Sequence, residues 1–90
     1  MNNESETKKE ETRLSLEKAK RIVLVHNGDR IPQAVNQLKE YNFLHPSHYD
    51  ELEMAISERW MTQGYWNHIV QEVIELFRGK REKLHLEKAA

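Results

Sequence analysis

Residues 47–77 read SHYDELEMAISERWMTQGYWNHIVQEVIELF, and the apolar spacing in this stretch decides the fold. Tyr49, Leu52, Ile56 and Trp60 recur at steps of three and four with Ala55 beside them, which is one face of an α-helix. Ser47, three residues before Asp50, approximates a capping box. Asp50, Glu51 and Glu53 put negative charge where the helix dipole favours it. Gly64 is the natural stop, because glycine enters the left-handed region after a helix without a Cβ penalty. The next segment starts at once with Tyr65 and Trp66 and holds eight apolar residues in thirteen through Phe77. So broad an apolar arc needs cover on two sides, which makes this second helix the expected centre of the domain. Trp60 and Trp66 flank the turn and are placed to stack near it.

Upstream, Met1 to Glu10 is charged and lacks apolar periodicity, so a disordered tail is expected over 1–10. From about Glu11 the spacing of Leu16, Ala19, Val23 and His26 predicts a helix, with Glu17 and Arg21 as an i,i+4 ion pair on its other side. The run Ile22-Val23-Leu24-Val25 also fits a buried strand, with Asn27-Gly28 as a hairpin turn. Pro32 interrupts the segment where a partner strand would run, and no second strand candidate occurs elsewhere, so helix is the preferred reading. A further helix is expected from Asp29 as N-cap, with Pro32 in its first turn and Ile31, Ala34, Val35, Leu38 and Tyr41 on its face, ending near Asn42. Phe43 and Leu44 are expected to plug one end of the core, and His45-Pro46 blocks helix continuation. Past Phe77, Leu84 continues the stripe, so the last helix crosses Gly79 at about 1 kcal/mol and frays beyond Lys83. The expected fold is all-α: a small four-helix bundle occupying 11–84, with a frayed basic C-terminal end at 85–90.

Composition narrows the function. Ninety residues with 38% hydrophobic content allow one small domain. Without cysteine there is no disulfide staple, thiolate metal site or cysteine nucleophile. The longest apolar run is four residues, and the N-terminus has no signal-peptide pattern, so a cytoplasmic protein with no membrane partner is expected. Ser47 to Leu76 holds six acids against Arg59 alone, whereas Phe77 to Ala90 holds five bases against Glu82 and Glu87.

Catalytic chemistry is poorly supplied. Three isolated glycines make no phosphate loop, and no serine lies in a glycine-flanked elbow. Of the five histidines, His45 and His48 with Asp50 and Glu51 form the densest cluster, and His68 with Glu72 an i,i+4 pair. Neither matches a standard zinc spacing, so no metal, cofactor or catalytic residue is assigned. A non-enzymatic protein–protein interaction module is expected, a regulator, adaptor or inhibitor. It would bind another protein or itself, as a homodimer, through an apolar and aromatic surface near Gly64 made by Met54, Met61, Tyr65 and Trp66. The alternative is a helix-turn-helix-like nucleic-acid-binding regulator using Arg78, Lys80, Arg81 and Lys83. Against it, the helix that would enter the groove begins with Asp50, Glu51 and Glu53, which repel phosphates.

Overall fold

The computed structural model describes the backbone at residues 3–62, 64 and 66–89, with side chains from Arg13 to Glu87 except at 63 and 65. Four α-helices follow one another: α1 Asn3–Val25, α2 Ile31–Leu38, α3 Pro46–Arg59 and α4 Asn67–Ala89. A 3-10 turn, Gly28–Arg30, leads into α2. Among the described residues there is no strand, and Ile22–Val25 forms the last turn of α1. Four consecutive helical residues sweep about 300°, so they cannot share one face. Val23 is buried, while Leu24 and Val25 are 57% and 59% exposed.

The helices form an all-α bundle with a clear neighbour pattern. Helix α1 packs on α2 and α3, and α4 packs on the same two, so α1 and α4 occupy opposite corners. Lys20 meets Glu51, and further along both helices Trp60 reaches the carbonyl of His26, so α1 and α3 run parallel. Arg78 pairs with Glu53 and Arg81 with Asp50, so α3 and α4 run antiparallel. The core joins Leu16, Ala19 and Val23 of α1, the buried face of α2, Leu52 and Ile56 of α3, and Val70, Val73, Ile74 and Phe77 of α4. The broad apolar arc of α4 is thus covered on two sides, as its sequence requires. It is not enclosed, because Leu76 is 38% and Leu86 71% exposed.

Several boundaries differ from expectation. Helix α3 starts at Pro46 with His45 in the extended N-cap position, so Ser47 lies inside the first turn and no capping box forms. Proline at the first helical position has its φ already set and lacks only an N–H that would have no partner there. Asp29 lies within the 3-10 turn, and Arg30 takes the N-cap position of α2. Helix α2 is shorter than expected because the amides of Glu40 and Tyr41 turn to the carbonyls of Gln37 and Leu38, three residues back. Gly64 does adopt the left-handed conformation, φ 78°, but α4 begins three residues later, at Asn67. The amides of Ile69 and Val70 both bond the carbonyl of Trp66. Helix α1 extends back to Asn3, and α4 extends past Lys83 to Ala89. Both extensions are rich in Lys and Glu, whose straight chains favour helix where no apolar face demands it.

Candidate interaction surface

The end of the bundle at the α3–α4 turn is set by Trp60. Its indole is buried at 1% exposure, and its Nε1–H donates to the carbonyl of His26, 3.0 Å away. That bond fastens the end of α3 to the end of α1 and satisfies one orphan carbonyl there. Trp60 therefore turns inward and does not stack on Trp66, whose ring neighbour is His68 at 6.4 Å. Arg59 adds a second tie, from Nη2 to the carbonyl of Leu24 at 3.2 Å.

Of the residues expected to bind a partner, Met61 and Trp66 flank Gly64, half-buried, and each rests part of its surface on the core. Met54 stands earlier on α3 and is 63% exposed, apart from the turn. Tyr65 lies outside the described residues. Two apolar residues at the same end were not anticipated, Leu24 and Val25. Their signal was in the sequence, since a helical run of four apolar residues must turn some of them outward.

The basic segment is largely engaged within the molecule. Arg78 Nε bonds Glu53 at 2.5 Å, and Arg81 bonds Asp50. That bond from Asp50 holds the Arg81 guanidinium charged to higher pH than usual. Lys80 donates to the carbonyls of Lys39 and Tyr41, at 3.0 and 2.7 Å, where α2 has ended and its carbonyls lack intrahelical partners. It also lies 5.6 Å from the Phe77 ring centroid, and burial lowers its pKa. Lys83 is exposed, beside Leu84 on a groove of ≈ 310 Å³ that opens near Phe43. The acids at the start of α3 are the other half of this lattice: Asp50 to Arg81, Glu51 to Lys20 and Glu53 to Arg78.

At the opposite end of the bundle, Tyr49 is buried, and its hydroxyl accepts the amide of Phe43 at 2.9 Å. Burial raises the phenol pKa. The His45 and His48 rings stand 5.1 Å apart, edge to face. Nδ1 of His48 is buried with no hydrogen-bond partner among the described residues. Burial first, then the neighbouring His45, lowers the His48 pKa below 6.5, with Glu51 opposing. Among the described residues no three His, Asp or Glu side chains converge as a metal site would require, and no helix is long and apolar enough to cross a membrane. No family model, curated protein or solved structure matches this chain.

Proposed function

We propose that this chain is a small protein-interaction module without a reaction centre, docking through the bundle end around Gly64. One contrast carries the reading. Arg78 and Arg81 of α4 are engaged with Glu53 and Asp50 of α3, whereas Met61 and Trp66 sit half-open on either side of Gly64, beside the tie from Trp60 to His26. A helical scaffold presenting methionine and tryptophan suits recognition of an apolar protein surface. Leu24 and Val25 extend the apolar area on the neighbouring helix end.

The nucleic-acid reading is weaker. A phosphate would have to draw Arg78 and Arg81 from Glu53 and Asp50, and those carboxylates would remain beside it. Capture experiments with purified full-length chain separate the two. The wild type is expected to retain one dominant protein at 0.15 M salt, roughly physiological ionic strength. Retention should fall in Met61→Asp and in Trp66→Ala and persist in Arg78→Gln. Retention of nucleic acid that weakens steeply with added salt, or capture unaffected by both turn variants, would contradict the proposal.

A further inference from the structure

The face of α1 turned away from the bundle lies outside the core, and of its residues only Leu24 also borders the docking end described above. Leu16, Ala19 and Val23 point inward. On the other side an open groove of ≈ 360 Å³ is lined by Leu14, Glu17, Lys18, Lys20, Arg21 and Leu24. Leu14 and Leu24 are 61% and 57% exposed, and Glu17 and Arg21 are exposed between them. At about 100° per residue, Leu14, Glu17, Arg21 and Leu24 fall along one narrow stripe. Their spacing of three, four and three residues reads the same from either end.

We propose that this stripe pairs with the same stripe of a second copy, α1 lying antiparallel to α1 across a two-fold axis. Reversal sets Leu14 against Leu24 of the partner subunit and Glu17 against Arg21 of the partner subunit. The axis repeats both contacts. The layers therefore run apolar, charge-paired, charge-paired, apolar, so that opposite charges meet in both central layers and fix the antiparallel register. Charge also selects this stripe over its neighbour. Leu14, Lys18, Arg21 and Val25 are spaced as symmetrically, but reversal would put Lys18 against Arg21 of the partner subunit, a like-charge contact. Lys20, on the flank, is already held 3.5 Å from Glu51. Lys18, on the other flank, has a stem long enough to carry its ammonium group to water. So short a face buries well under the roughly 1,200 Å² of a stable interface, so the dimer is weak and concentration-dependent. It requires nothing of Met61 or Trp66, so either proposal can fail without the other.

The two-fold symmetry supplies a decisive test by sedimentation equilibrium of the full chain from micromolar to millimolar concentration. The wild type is expected to dimerise reversibly. Glu17→Arg and Arg21→Glu should each weaken self-association by about tenfold or more, since each places like charges in both central layers. An equimolar mixture of the two variants should recover wild-type association, because every central contact then joins opposite charges. Circular dichroism should show unchanged helix content, as both positions are exposed. A wild type that stays monomeric at millimolar concentration would overturn the proposal. So would single variants that dimerise like the wild type, or a mixture no stronger than its components.

Discussion

His48 is half-buried beside His45, and its environment disfavours the charged ring. Its Nδ1 is buried without a hydrogen-bond partner among the described residues, and its pKa lies below 6.5 because burial, and then His45, disfavour the cation. Arg13 and Lys20 act in the same direction, and Glu51 opposes them. The unfolded chain therefore takes up a proton near pH 6.5 that the folded chain still refuses, and stability rises with pH across that window. Thermal midpoints should fall as pH drops from about 7.5 to about 5.5, and His48→Gln should flatten that slope. A slope unchanged by the substitution would move the effect to another group. Tyr49 poses a different test at the same scale. Tyr49→Phe removes the acceptor of the buried Phe43 amide, and denaturant titration should show a loss of about 1–3 kcal/mol. The ion pairs at Arg78 and Arg81 are partly exposed, so Arg78→Gln should cost no more than about 1 kcal/mol.

At the scale of elements, the glycines separate two roles. Gly64 turns the chain at φ 78°, where a Cβ meets no neighbour but any residue other than glycine strains the backbone, so Gly64→Ala should destabilise by about 1–2 kcal/mol. Gly79 lies inside α4 with open space where a Cβ would stand, so Gly79→Ala should stabilise by about 1 kcal/mol. Equal effects of the two changes would contradict these conformations. The four helices were legible because their apolar residues keep helical spacing wherever a face is buried, as Leu52, Ile56, Val70 and Phe77 show. Their ends were less legible. Ser47 advertised a cap that Pro46 made unnecessary, and beyond Leu16 and Leu84 no apolar face remains to mark where a charged helix stops. The inward position of Trp60 was legible from its place on the stripe, but its tie to His26 was hidden, because that carbonyl lies 34 residues away.

At the scale of the molecule, sequence separated an acidic middle from a basic end but could not reveal that they neutralise each other. Antiparallel packing of α3 and α4 brings Asp50 and Glu53 to Arg81 and Arg78, a contact set by tertiary register and by nothing local. The same packing leaves Met61 and Trp66 half-open at the turn, where the proposed function resides. Hydrogen exchange of the chain alone and in complex with the protein it captures tests that assignment most directly. New amide protection is expected in the segment from Trp60 to Asn67, with the Arg78 to Glu87 segment unchanged. Protection confined to Arg78–Glu87, with Trp60–Asn67 exchanging as in the free chain, would contradict it.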